Sequence, residues 1–126
     1  MHVLISHLNS VSSPHSLKIA ELAASILAKI ATSTKEQNRI TDAGALEPLI
    51  RLLEQSHFPR LQESVLEAIA SLCLNNYRIV SQLTLMKGMN GLDPVTTILS
   101  IVRNGTPSLK LYACAWYEIL RCSHFL

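Results

Sequence analysis

The stretch from residue 17 to residue 31 has the spacing of apolar and polar positions that an amphipathic helix requires. Its apolar side chains fall at i, i+3, i+4, i+7, i+8 and i+11, which places them on one helical face. These positions are Ile19, Leu22, Ala23, Ile26, Leu27 and Ile30. The other face carries Lys18, Glu21, Ser25 and Lys29. We therefore predict a long helix that buries its apolar row.

Similar apolar stripes, some long and some short, follow along the rest of the chain. They predict long helices over 60–74 and 107–122, and short helices over 3–8, 36–41, 46–54, 77–86 and 92–103. Asp42-Ala43-Gly44 predicts a tight turn in which Gly44 adopts a positive φ at little cost, and residues 87–91 predict a loop. Nothing alternates with the period of two that a strand needs, so the fold class is all-α.

Parts of the chain resemble one another. Leu46-Glu47-Pro48-Leu49 is echoed 46 residues later by Leu92-Asp93-Pro94-Val95, and the apolar positions of 17–31 recur 42 residues later in 60–74. A repeat period of about 40–50 residues is typical of stacked helical repeats. We expect one repeat segment over 1–126, forming part of a longer solenoid. It divides into the end of one repeat (1–34), a complete repeat (35–75) and a degenerate repeat (76–126).

The composition is unusually apolar for a chain of this size. Of the 126 residues, 48% are hydrophobic and 16% are charged, against about 25% charged in typical soluble domains. No apolar run approaches the roughly 20 residues that span a bilayer, so we expect no membrane partner. A solenoid piece with uncapped ends explains the composition, and it predicts contact with neighbouring repeats or self-association through those ends. The net charge of +2 favours no nucleic-acid partner.

The residues able to perform chemistry are few and scattered. Cys73, Cys114 and Cys122 are too few for a disulfide scaffold and favour a reducing compartment. The spacing from Cys114 to Cys122 and His124 lacks the tight pairs of a zinc site, so we expect these cysteines to be buried apolar residues. A Cys–His nucleophile, for example with His57, is left open by sequence spacing alone. We nevertheless predict no catalytic, metal or cofactor-binding residues and no enzymatic activity.

The N-terminus has an apolar start but no basic leading segment, which argues against a signal peptide. The predicted location is the cytoplasm, the nucleus or both.

One stretch resembles the armadillo repeat. Its features are the turn and proline-containing short helix of Asp42 to Leu49, the leucine pair Leu52-Leu53, and the long helix from Gln62 to Cys73. The resemblance implies a right-handed α-solenoid of about two and a half armadillo-type repeats. It also implies a non-catalytic protein–protein interaction scaffold.

Over Asp42 to Leu120 the order of elements is similar to that of the armadillo scaffold subunits of the GID/CTLH ubiquitin ligase, including their yeast vacuolar-import-and-degradation counterpart. This likeness implies a role in proteasome-dependent protein degradation, with other ligase subunits as partners.

The polar positions of the long helices supply the candidate binding surface. With the offset of 42 residues they form two rows, and in armadillo solenoids such rows line the groove that binds partners. The candidates are Glu21, Ser25, Lys29, Glu63, Glu67 and Ser71. A simple solvated face is the alternative interpretation. If the rows bind, the two carboxylates of the second row favour a partner segment with basic character.

A peptide or cargo adaptor of the nuclear-import type is the alternative function. Import receptors of the importin-alpha type carry a Trp and, four residues on, an Asn on successive third helices. The corresponding pairs here are Ser25 and Lys29, Glu67 and Ser71, and Ala115 and Ile119. None of them matches, which weakens this alternative. Trp116 falls one position away, where packing is expected.

Overall fold

Helices form all the regular secondary structure in the computed structural model, which describes residues 2–9, 14–55, 58–85 and 94–122. The helices are α1 (His2–Asn9), α2 (Pro14–Ile30), α3 (Thr34–Asp42), α4 (Leu46–Gln55), α5 (Pro59–Cys73), α6 (Tyr77–Leu85), α7 (Pro94–Asn104) and α8 (Pro107–Cys122). Over these ranges the structure contains no strand, which confirms the all-α class. The predicted loop over 87–91 lies outside the described residues.

The helix ends follow from local sequence chemistry. The Ser33 side chain caps α3 by accepting a hydrogen bond from the backbone N–H of Glu36 at 3.3 Å. Gly44 has a φ of +89° in the turn between α3 and α4, as predicted. Pro59 occupies the first turn of α5, where its missing N–H costs nothing. Beyond α5, Asn75 adopts a left-handed φ of 54°, a conformation that asparagine tolerates.

The long helices pack side by side in the order α2, α5, α8, and the shorter α1, α4 and α7 lie against them as a second row. A continuous hydrophobic core runs between the rows, with Leu27, Leu49, Leu66 and Ile69 fully buried. None of the described helices is long and apolar enough to cross a membrane. Successive long helices are therefore neighbours, as the repeat offset predicts.

The buried face of α2 differs from the predicted one. Leu22, Ile26 and Ile30 are 52%, 42% and 36% exposed, while alanines fill the interface. The buried alanines are Ala20, Ala23, Ala24, Ala28 and the following Ala31. The prediction was wrong for the three large residues. The apolar pattern does not distinguish an inward face from an outward one, and here the small side chains face inward because they let neighbouring helices approach closely.

Candidate protein-binding surface

The two predicted rows, which we call the groove rows, lie on the adjacent helices α2 and α5. Residues four apart share one side of a helix, so Glu21, Ser25 and Lys29 line α2. Glu63, Glu67 and Ser71 likewise line α5. Lys29 is exposed and the other five residues are partly buried. The hydroxyl of Ser25 donates to that of Ser64 at 3.4 Å, across the seam between the two helices.

The charge of the surface is concentrated on α5. The side chain of Glu21 lies 3.9 Å from that of Lys18, so this carboxylate is already partly balanced. Within the described ranges, Glu63 and Glu67 have no ion pair and Lys29 has none either. Among the groove-row side chains without an ion pair in these ranges, two are carboxylates (Glu63 and Glu67) and one is a cation (Lys29). This excess of negative charge favours a ligand with positive charge.

A buried polar network holds the C-terminal end of α5, where Ser71 lies. The side-chain amide of Gln37, which is 5% exposed, donates to the backbone carbonyls of Ser71 at 2.8 Å and Leu74 at 3.0 Å. Its oxygen accepts from Asn76 Nδ2 at 3.0 Å, and the same Nδ2 donates to Asn38 at 3.1 Å. These bonds satisfy carbonyls that the end of a helix leaves without partners.

The sequence patterns identified neither Gln37 nor Asn76. Asn76 also accepts from the backbone N–H of Ile79 at 3.4 Å, at the start of α6. An asparagine directly before a new helix is a capping signal that sequence can reveal. Gln37 carries no comparable signal, because a glutamine on a polar helix usually faces solvent.

Further contacts join equivalent short helices. Arg78 of α6 pairs with Asp42 of α3 at 2.6 Å. The hydroxyl of Thr97 on α7 donates to the Glu54 carboxylate on α4 at 2.9 Å. These links, like the pair of serines on the long helices, connect elements about one repeat apart. Of the three contacts, the pair of serines joins the helices of the two groove rows, and the other two join the repeat of α5 to that of α8.

A cleft of about 360 Å³ opens at the N-terminal ends of α2 and α5, and Glu21 is the groove-row residue that lines it. Its walls are mainly apolar, with two cationic side chains. The other lining residues are Leu17, Lys18, Phe58, Pro59, Arg60 and Leu61. The row on α2 therefore reaches a concave, mainly apolar cleft at its N-terminal end.

The described part of the structure does not bring together the cysteine and histidine residues considered for catalysis or metal binding. Cys73 is buried, as predicted, but Cys114 is exposed, so the prediction of burial was wrong for it. Cys114 lies on the side of α8 that no described helix covers. Within the described residues, no three His, Cys, Asp or Glu side chains cluster as a metal site would require. His57, His124 and the side chains of Trp116, Tyr117 and Cys122 lie outside the description.

The import-type positions also lie on the long helices. Ser25 contacts Ser64 rather than standing free, and Ala115 is exposed. The side chain of Ile119 lies outside the description. The surface therefore offers carboxylates and hydroxyls, and no Trp–Asn pair, at the described positions.

Comparison with known proteins supports the armadillo assignment. Residues 38–74 match the family model of the armadillo/beta-catenin-like repeat. This range covers the end of α3, all of α4 and α5, and Leu74, whose carbonyl accepts from Gln37. Armadillo repeats generally mediate protein–protein binding, and the match suggests an interaction scaffold.

One curated relative is similar over a limited length. It is a D-aminoacyl-tRNA deacylase from Methanosphaerula palustris, 38% identical over 74 residues. The match covers 55% of this chain and 17% of the deacylase, so the chain spans about a sixth of that protein. No solved structure gives a significant match.

Proposed function

We propose that this chain is a non-catalytic armadillo scaffold that binds an extended segment of another protein along the groove rows. The observation that carries the proposal is the placement of the two rows on packed helices, one of them within the armadillo match at 38–74. On this proposal the chain is a right-handed solenoid of about two and a half repeats, acting in the cytoplasm, the nucleus or both.

The geometry limits the length of the bound segment. Packed helices lie about 8–10 Å apart, so a segment crossing α2, α5 and α8 covers roughly 20 Å. An extended chain advances about 3.3–3.6 Å per residue, which corresponds to about six residues. Glu63 and Glu67 favour lysine or arginine at the centre of this segment, with the Ser25 hydroxyl beside them. Charge complementarity contributes mainly to specificity and association rate.

A titration tests the groove directly. The probe is a fluorescent peptide of about eight residues with four lysines, and the readout is fluorescence anisotropy. We expect the double variant Glu63→Lys and Glu67→Lys to lose at least about tenfold in affinity, which is 1.4 kcal/mol. The control, Glu36→Lys with Glu47→Lys, makes the same change in net charge on other helices. Equal losses in both variants, or no binding to the wild-type protein, would refute the groove.

The narrower proposal is membership of a GID/CTLH-type ubiquitin ligase, with a role in proteasome-dependent degradation. It rests on the sequence resemblance in the order of elements over Asp42 to Leu120, and it requires ligase subunits as partners. Affinity capture from cell extract followed by mass spectrometry tests it. If no RING or CTLH-type subunit is recovered, while a full-length control subunit recovers them, the ligase assignment is wrong and the general scaffold function still stands.

The deacylase activity named for the curated relative suggests a test of the proposal that this chain is non-catalytic. The shared region is 17% of the deacylase, too small a share to carry that protein's activity to this chain. We expect the purified chain to release no amino acid from D-aminoacyl-tRNA. Turnover that disappears in Cys114→Ser or in His57→Ala would overturn the proposal.

A further inference from the structure

The cleft at the N-terminal ends of α2 and α5 has a different chemistry from the groove rows. Its volume of about 360 Å³ lies at the lower end of the range of ligand sites. Leu17 and the buried Leu61 form part of its apolar wall. Phe58 is 55% exposed and Arg60 is also exposed, and both line the cleft. Aromatic and arginine side chains are enriched in protein interfaces, so the cleft has the composition of a docking site.

The start of α8 shows how α5 departs from an ordinary helix start. The two helices open on parallel sequences, Thr106-Pro107-Ser108-Leu109 and Phe58-Pro59-Arg60-Leu61. Thr106 caps α8 by accepting from the backbone N–H of Leu109 at 3.3 Å, whereas Phe58 makes no side-chain cap bond to α5. A capping hydroxyl stabilises a helix, so the chain carries an exposed aromatic residue where a stabilising cap is possible. Departures of this kind from a local rule are expected at functional sites.

The charge of the cleft is that of a site for a single anionic group. Lys18 and Arg60 lie 42 residues apart, at the same position of successive repeats, and both line the cleft. Lys18 is 3.9 Å from Glu21, while Arg60 has no ion pair within the described ranges. The two cations and the Glu21 carboxylate give the cleft a net charge of +1. A guanidinium binds a carboxylate through two parallel hydrogen bonds, and Glu21 disfavours a phosphate, which carries nearly two negative charges.

We propose that the cleft binds an extended segment of another protein in which a phenylalanine is followed, two residues later, by an acidic residue. Side chains two residues apart lie on the same side of an extended chain, so both can reach the cleft. The phenylalanine enters between Leu17, Phe58 and Leu61, and the carboxylate pairs with Arg60. This site is separate from the groove rows and has the opposite charge preference.

The openness of the cleft favours a segment of a protein over a free small molecule. Lys18, Phe58, Pro59 and Arg60 are all exposed, so the cleft is uncovered on one side. Small-molecule sites bury about 70–90% of the ligand surface, which this cleft does not provide. A segment needs to bury only one side, because its backbone lies across the opening while its side chain enters.

A titration followed by NMR tests the site. The chain is labelled with ¹⁵N, and the probe is an octapeptide of glycine and serine with Phe-Ser-Glu at its centre. We expect saturable shifts of the amide signals of residues 17–21 and 58–61. Peptides with alanine for the phenylalanine, or glutamine for the glutamate, should bind at least about fivefold more weakly. A peptide with phosphoserine for the glutamate should bind no more tightly.

Two variants of the chain separate binding from folding. Arg60→Glu should weaken binding at least about tenfold; its control, Lys35→Glu, makes the same charge change at an exposed position of α3 and should stay within about twofold of wild type. Phe58→Thr should weaken binding at least about fivefold. Its melting temperature should equal or exceed that of the wild type, because threonine can cap α5 as Thr106 caps α8. Loss of binding through misfolding would instead lower the melting temperature.

Three results would overturn the proposal. They are no saturable shifts up to about 2 mM peptide, wild-type affinity in Arg60→Glu or Phe58→Thr, and binding of the phosphoserine peptide at least about tenfold more tightly. The groove variant Glu63→Lys with Glu67→Lys adds positive charge within two turns of Arg60 on α5. It should therefore bind this acidic probe at least as tightly as the wild type. Failure of the cleft and failure of the groove are thus distinguishable.

Discussion

Replacing Gln37 by methionine should remove the buried hydrogen bonds that hold the C-terminal end of α5. The two side chains are similar in length, so the variant keeps the packing of α3 and removes only hydrogen bonds. Three bonds are lost: two from the amide to the carbonyls of Ser71 and Leu74, and one from Asn76 to the Gln37 oxygen. Asn76 keeps its bond to Asn38, so the main loss falls on the end of α5.

The expected size follows from the burial of the site. Gln37 and Asn76 are each 5% exposed, so water does not readily replace the missing partners. At about 1 kcal/mol for each hydrogen bond, the free energy of unfolding should fall by about 3 kcal/mol. Domains of this size are stable by only about 5–15 kcal/mol. The melting temperature should fall by roughly 10 °C.

Urea denaturation followed by circular dichroism measures this loss. Lys35→Met is the control, because it introduces the same side chain at an exposed position of the same helix; its effect should stay within about 0.5 kcal/mol. A double-mutant cycle with Asn76→Ala should give a coupling of at least about 0.5 kcal/mol. A loss below about 1 kcal/mol for Gln37→Met, or no coupling, would refute the view that this network holds the end of α5.

Three further predictions address the turn, the helix seam and the cysteines. Gly44→Ala should cost about 1–2 kcal/mol in urea denaturation, because φ is +89° while the added Cβ meets no atom within 4 Å; a cost near zero would contradict the turn geometry. Ala68→Leu should cost about 1–3 kcal/mol by overpacking the seam with α2, and an unchanged melting temperature would show that the seam is loose. In a Cys122→Ser background, Cys114 should react with maleimide in the folded protein and Cys73 only after denaturation, as mass spectrometry can establish; early reaction of Cys73 would contradict its burial.

The helices were predictable because residues close to each helix end determine where that helix begins or stops. Pro59 and Pro107 open long helices at their first position, and Gly44 closes a turn that only a positive φ allows. The offset of 42 residues also predicts that α2 lies beside α5, since repeat units stack on their neighbours. The groove rows rest on the same offset, and for this reason their placement on neighbouring helices follows from the sequence.

The inward face of α2 was not predictable in the same way. The row of Leu22, Ile26 and Ile30 and the row of buried alanines are both apolar, and hydrophobicity gives greater weight to leucine and isoleucine than to alanine. Close approach of α2 and α5 instead requires small side chains at the seam. Gln37 was missed for a related reason: its burial depends on two carbonyls more than thirty residues away, and no local pattern contains that information.

The two outward sides of the long-helix stack differ in chemistry, and this difference decides where the molecule can be extended. At the α2 side, the exposed row is Leu22, Ile26 and Ile30, whose burial is favourable. At the α8 side, the row in the corresponding position contains Lys110 and Glu118, whose burial is costly. An added helix therefore gains free energy on α2 and loses it on α8. Among the described side chains, the row on α2 therefore favours contact with a further helix, and the row on α8 disfavours it.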